Sequence, residues 1–359
     1  MILLNLEKSE NILGGYKMKK VLLMLCSVFL VAFSCAGCTG SSGSSSGSAS
    51  GAGSAPQTSS QAKPLNFPKK DIKVIIPFSA GGGADLSMRM FCDTANNGDY
   101  FNNVTLVPEN LAGGGATVGQ TAAYNAKADG YTLLLYTSSL IDNTIFNKVV
   151  YKYDDFKPLA GYCTDPEILI APISAPYNTL QEFYTYAKTH TVNVSTPGRN
   201  TGHHIRALKM AQDHSFKFNY LHSDGAAVQL QQVMGGHCDI SFTTVGGCES
   251  AIKDGKVKAL AVMAEDRLED LPKVPTFKEL GENLVDGADR GIAVNKNVPD
   301  DVYQYLCAES KKVIETQQFK DSMKKLGVMH IYQTPEEYKR YMDDTYNTIQ
   351  ELLPFLRAT

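Results

Sequence analysis

The sequence lacks the short motifs that hold nucleotide phosphates. Neither of its two internal glycine turns spells G-x-G-x-x-G, and no Gly-Lys-Ser/Thr follows either one, so both phosphate fingerprints fail. A metal site is equally unsupported. Five of the seven histidines lie between His203 and His237, yet no H-E-x-x-H or C-x-x-C accompanies them. The adjacent His203 and His204 would point about 100° apart on a helix and could not share one face. There is no excess of charge, the formal net being -3, and no basic strip for a nucleic acid. The cysteines beyond residue 38 are Cys92, Cys163, Cys238, Cys248 and Cys307, an odd set without short repeated spacing, which argues against a disulfide framework. They read as small buried apolar residues, with a Cys238–Cys248 bridge as the alternative. No cofactor and no metal are expected.

Long apolar runs are missing as well. The run over residues 21–33 follows Lys17, Lys19 and Lys20, is too short to span a bilayer comfortably, and suits a signal peptide. It ends in Cys35-Ala36-Gly37-Cys38, where small residues before a Cys resemble a lipoprotein signal, with Cys38 the lipidated residue. Cys35 stands where Leu is usual, and simple secretion is the alternative. Met18 is a second candidate start. The Ser/Gly-rich stretch that follows cannot bury a core and reads as a flexible tether. Within it, residues 43–47 match G-x-S-x-G without a strand before or a helix after, so the match carries no catalytic meaning.

What the chain does contain is a repeated strand–glycine turn–helix unit. Ile72, Val74, Ile75 and Ile76 make a β-branched run, Pro77 ends it, and Ser79, Ala80, Gly81, Gly82 and Gly83 turn into a helix with Asp85 in its first turn. Residues 104–107 read as the next strand, and Gly113, Gly114, Gly115, Ala116 and Thr117 open the next helix. A third strand over 131–136 leads to Thr137, Ser138 and Ser139. Such alternation predicts a parallel α/β sheet, with both turns at one crevice. Glycine turns that open helices present unpartnered N–H groups to an anion, and a carboxylate is the simplest guest once nucleotides are set aside.

The blocks PFSAGGGAD (77–85), PENLAGGGATVG (108–119) and KADGYTLLLYTSS (127–139) resemble the signature of the solute receptors of tripartite tricarboxylate transporters, the Bug-type proteins. That pattern lands on Pro77, Phe78, Gly81, Gly82, Asp85, Glu109, Asn110, Gly113, Gly115, Gly119, Ala128, Asp129, Gly130, Tyr131 and Thr132. The resemblance runs from Pro68 onward. It implies an α/β, two-lobe periplasmic-binding-protein-like fold (type II, Venus flytrap) with a parallel-rich sheet in each lobe. The expected division is signal peptide 1–38, tether 39–65, lobe 1 over 66–163 and 288–359, and lobe 2 over 164–287. An apolar run at Ile168–Ile170 marks the crossing.

In the second lobe, Thr179 and Glu182 form a capping-box pattern, and the loop through Thr196, Gly198, Arg199, Thr201 and His204 is similar to the family's SSGxGSxxH, with Asn200 replacing a Gly. Arg199 could read a carboxylate through paired hydrogen bonds, the plain alternative being a solvated loop Arg. The turn Ser223, Asp224, Gly225 stands where relatives tend to carry Lys-Gly-Gly, and Asp224 would repel a multiply charged acid or pair with an amine. Thr243 and Thr244 stand where Asp-Asn is common. Gly235-Gly236-His237-Cys238-Asp239 and the Leu271–Thr276 run match further family blocks. A strand over 291–294 and two helices, from about Pro299 and Pro335, should close the chain on lobe 1, the second capped by Thr334 and Glu337.

Together these features imply a lipid-anchored extracytoplasmic receptor that closes its lobes on a small carboxylate, an organic acid or amino acid, and delivers it to integral membrane transporter subunits. A ligand-sensing subunit of a signalling system is the alternative. An enzyme is a weaker one, because His204 with Thr201 has no third partner evident.

Overall fold

The computed structural model describes residues 65–356, so the expected signal peptide, the Cys38 lipidation site and tether residues 39–64 lie outside the described part. Strand β1 (Ile72–Ile76) lies between β2 (Leu106–Asn110) and β3 (Thr132–Tyr136), all parallel, with Ile76 opposite Asn110. Four of its five side chains are buried, as a β-branched run covered on both faces should be. β2 starts two residues later than the apolar pattern suggests. Phe101, Asn102 and Asn103 adopt left-handed φ of 50°, 53° and 58°, and the turn is held by Glu309 Oε2 accepting Phe101 N–H at 2.9 Å. Asparagine tolerates that conformation, so Asn102 and Asn103 suit the turn that precedes the strand.

One strand organises everything else. β4 (Phe156–Pro172) runs for seventeen residues. Its first part pairs antiparallel with β9 (Gly287–Asn295) and β10 (Met329–Gln333), and β9 in turn pairs with β3. Its last part pairs with β7 (Ile240–Thr244) and β8 (Val257–Val262). β7 continues into a second parallel set through β5 (Thr191–Thr196) to β6 (Lys217–His222). The apolar run at Ile168–Ile170 is therefore part of a crossing strand that serves both halves.

The core divides along β4. Leu159, Ala160, Tyr162 and Cys163 pack with β1 and with Met88, Phe91 and Cys92 of α1 (Gly83–Asn96). Leu169 and Ala171 pack with Phe183 and Phe242, whereas Ile168 and Ile170 face Val245 and Val262 on the other side. Successive side chains alternate across a strand, so one segment feeds two cores. All five described cysteines are free, Cys238 and Cys248 included, so the alternative of a bridge between them is not realised.

The remaining helices are α2 (Thr117–Asn125), α3 (Ser139–Phe146), α4 (Leu180–Ala187), α5 (Gly202–His214), α6 (Ala226–Met234) and α7 (Val245–Lys253). The C-terminal region holds three helices rather than two: α8 (Asp300–Ile314), α9 (Gln317–Lys325) and α10 (Pro335–Leu356), with β10 between the last pair. Thr316 Oγ1 accepts Phe319 N–H at 3.1 Å and starts α9 afresh, and Phe319 and Met323 bury its apolar face. α10 opens with the expected reciprocal box, Thr334 N–H to Glu337 Oε2 at 2.9 Å and Glu337 N–H to Thr334 Oγ1 at 3.2 Å. None of the described helices is long and apolar enough to cross a membrane.

Candidate functional site

The two glycine turns lie side by side because β1 and β2 are neighbours. Their framework is a cluster of family-pattern residues. Asp85, buried in the first turn of α1, accepts Gly81 N–H on Oδ2 at 2.8 Å, and on Oδ1 accepts Arg89 Nε and Asn110 Nδ2, each at 2.8 Å. Asn110 Nδ2 also donates to Phe78 O at 2.9 Å. Both carboxylate oxygens of Asp85 are thus engaged in shaping the first turn.

The first turn packs against the other half of the protein. Ser79 N–H donates to Asp224 O at 2.8 Å. A Cβ on Gly82 would lie 3.2 Å from Ala226 Cβ, and one on Gly83 would lie 2.7 Å from Asp165 Oδ2 and 2.9 Å from Thr244 Oγ1. Behind Gly83 sits a fully buried pair that the sequence did not reveal. Arg290 Nη2 meets Asp165 Oδ2 and, at 3.3 Å, Thr244 Oγ1, while Asp165 Oδ1 accepts Gly246 N–H at 2.9 Å. Arg290 and Asp165 thereby tie the starts of α1 and α7 to the crossing of β4 and β9. Ser79, Gly81, Gly82, Gly83, Gly225 and Thr244 form this seam, Asp85 shapes the turn behind it, Ala80 is exposed, and Thr243 is buried at the end of β7; none of them lines the cavity described next.

The second turn is different. Gly113, Gly114, Gly115 and Ala116 have φ of 127°, 60°, 64° and 81°, four consecutive left-handed residues. Only glycine adopts that region freely, so Ala116 is held there by its surroundings. Asn143 Nδ2 donates to Gly115 O and to Gln120 Oε1, both at 2.8 Å. Gln120 Oε1 also accepts Tyr151 OH at 2.5 Å, and Gln120 Nε2 donates to Ser139 Oγ at 3.0 Å. Thr137 and Ser139 share a hydroxyl contact of 2.7 Å inside this network, so they brace the turn from behind. Among the described residues, nothing accepts a hydrogen bond from the amides of Gly114, Gly115 or Ala116.

Facing the second turn is the loop from β5 to α5. Gly198 has φ +147°, and a Cβ there would lie 2.6 Å from Gly115 Cα; a Cβ on Gly115 would lie 2.7 Å from Arg199 O. The loop is braced by Thr201 Oγ1 donating to Gly198 O at 2.9 Å and by Thr196 Oγ1 against His222 Nδ1 at 2.8 Å. His204 Nδ1 accepts Asn200 N–H at 3.1 Å. Burial, then His222 and Arg199, push its pKa down to about 4, so His204 is a neutral acceptor at pH 7. Ser223 Oγ donates to Thr196 O at 3.0 Å. Thr196, Thr201 and His204 therefore support the loop.

Between these elements lies a cavity of about 590 Å³ lined by Gly114, Gly115, Thr117, Thr121, residues 147–150, Gly198, Arg199 and residues 222–224. It brings together Gly114, Gly115, Thr117, Gly198, Arg199, Ser223 and Asp224 from the expected site. It excludes Gly113, Ala116, Thr137, Ser138, Ser139, Thr196, Thr201 and His204 from its lining. Asn147, Lys148, Val149, Val150, Thr121 and His222 were not foreseen, since no local pattern marks a lining residue contributed by a segment after a helix. His222 is held below the usual histidine range, by burial first and Arg199 second. Two cations, one carboxylate, free amides and a neutral imidazole make a site for a negatively charged guest.

A family model described as "Tripartite tricarboxylate transporter family receptor" (TctC) matches residues 74–355. A relative from Cupriavidus necator, "UPF0065 protein in gbd 5'region", is 26% identical over 80% of this chain and 87% of its own. The solved structure of the periplasmic binding protein BugD superposes with a TM-score of 0.76 at 24% identity, covering 80% of this chain and 98% of that one. MatC from Rhodopseudomonas palustris, solved with bound malate, gives 0.75 at 23% identity, covering 80% and 99%. The α/β fold is that of these two-lobed periplasmic binding proteins, and the chain belongs to the tripartite tricarboxylate transporter receptor family, the solute-binding receptors of the TctC and Bug type.

Proposed function

We propose that this receptor captures a small carboxylate, an organic acid or an amino acid, between its two lobes and delivers it to the membrane subunits of a tripartite tricarboxylate-type transporter. The observation that carries this reading is the second glycine turn. Its unpartnered Gly114 and Gly115 amides border a cavity that also holds Arg199. Amides oriented at a helix start favour an anion, and an Arg fork adds a charge-assisted contact. Malate bound in the MatC structure supports the ligand class.

The lobes would be 66–163 with 288–359, and 164–287, meeting where β4 pairs with β9 at Cys163–Arg290 and Asp165–Ala288. Closure would bring Gly198 against Gly115 and Asp224 against Ser79, the contacts described above. We further infer that the protein binds without transforming its ligand, because His204 and Thr201 are engaged by Asn200 and Gly198. The N-terminal segment would place the receptor outside the cytoplasm with lipid on Cys38.

Titration calorimetry of residues 64–359 against organic acids, amino acids and aromatic acids tests the ligand class; silence toward every acid would refute it. Cys38→Ser should move the full chain from the membrane to the soluble fraction. Retention in the membrane would refute the anchor.

A further inference from the structure

The cavity carries a second cation from the opposite side of the seam. Lys148 follows α3 in the first half, whereas Arg199 follows β5 in the second, and both line the same cavity. A chain of amide side chains sets their positions. Asn143 Nδ2 holds Gly115 O at 2.8 Å, Asn147 Nδ2 donates to Asn143 Oδ1 at 2.7 Å, and Asn200 Nδ2 crosses the seam to Asn147 Oδ1 at 3.1 Å. Lys148 and Arg199 are each one sequence position from that crossing bond, so each half contributes one cation to the cavity beside it. Neither makes a hydrogen bond or ion pair among the described residues, and Asp224 is the only carboxylate lining the cavity.

We propose that Lys148 and Arg199 form a clasp that one acid group of the ligand bridges across the seam, while the amides of the second glycine turn take another. This rests on the receptor reading and deepens it. Like charges brought together oppose closure, so an anion that joins them makes closure conditional on the ligand. The acid bound would then carry two separated carboxylates, and its monoamide would be rejected.

The test measures binding of the dicarboxylates from malonate to adipate, each beside its monoamide, to the full chain and to Lys148→Gln, Arg199→Gln and the double variant. The intact chain should favour at least one diacid over its monoamide by tenfold or more. Either single variant should lose most of that preference, the double variant little more, and Lys148→Arg, which conserves the charge, should keep it. Preference retained in Lys148→Gln, or strictly additive losses, would overturn the clasp while leaving the receptor reading intact. Binding of monoacids alone would do the same. Binding of no acid at all would overturn the receptor reading itself.

Discussion

Asp142 offers the sharpest test of how the two halves meet. It lies on α3 with 1% of its surface exposed, and among the described residues Oδ2 has no hydrogen-bond partner. Across the seam Arg206 of α5 is engaged by Asp286 and Glu167, with Nε 2.7 Å from Asp286 Oδ2 and 3.0 Å from Glu167 Oε2. Burial raises the Asp142 pKa from 3.8 to about 8; Arg206 and Ser138 oppose the rise, and Asp286 adds to it. The folded protein therefore holds this proton at pH 7 and the unfolded chain does not. The folded state binds more protons through the window between the two values, so stability falls as pH rises through it. Each pH unit in that window costs about 1.4 kcal/mol. Between pH 5 and pH 7 the Asp142 contribution should worsen by roughly 3 kcal/mol, an order-of-magnitude figure. Asp142→Asn removes the titration and keeps the shape. Urea unfolding of both proteins at several pH values should show the variant gaining on the parent by about that amount over the window. Stability curves that stay parallel from pH 5 to pH 7 would refute the buried, protonated carboxyl.

Gly115→Val should abolish ligand binding, because its Cβ would meet Arg199 O at 2.7 Å in a residue with φ +64°. The cost to stability of the open form should stay near 1–2 kcal/mol, read by calorimetry beside thermal unfolding; unchanged affinity would remove the turn from the site. Arg290→Ala strands the Asp165 carboxylate in the core and should cost about 3–5 kcal/mol by denaturant unfolding, whereas a loss under 1 kcal/mol would mean that water reaches the pair.

How much of this was legible beforehand depended on how local each signal was. The turn at Gly113–Gly115 was readable because left-handed backbone demands glycine wherever it occurs. The Thr334–Glu337 cap was readable because both partners sit within one helical turn. The strand expected from residue 104 begins at Leu106, because Val104 N–H closes the preceding turn on Phe101 O and Thr105 N–H is taken by Asp71 Oδ1. A carboxylate at a helix start has two ordinary uses, meeting a ligand or shaping the turn, and for Asp85 only the bonds from Arg89 and Asn110 point to the second.

From the order of its residues alone, the chain determined its two glycine turns, its alternating strands and helices and its family, since β-branched runs, positive-φ turns and caps act between neighbours. The tertiary structure decided which turn borders the cavity, which carboxylates are already engaged, and that Lys148 and Arg199 line one cavity. Those outcomes depend on how β4 carries the second half back over the first. Side chains far apart in sequence acquire partners only when packing brings them within hydrogen-bond reach.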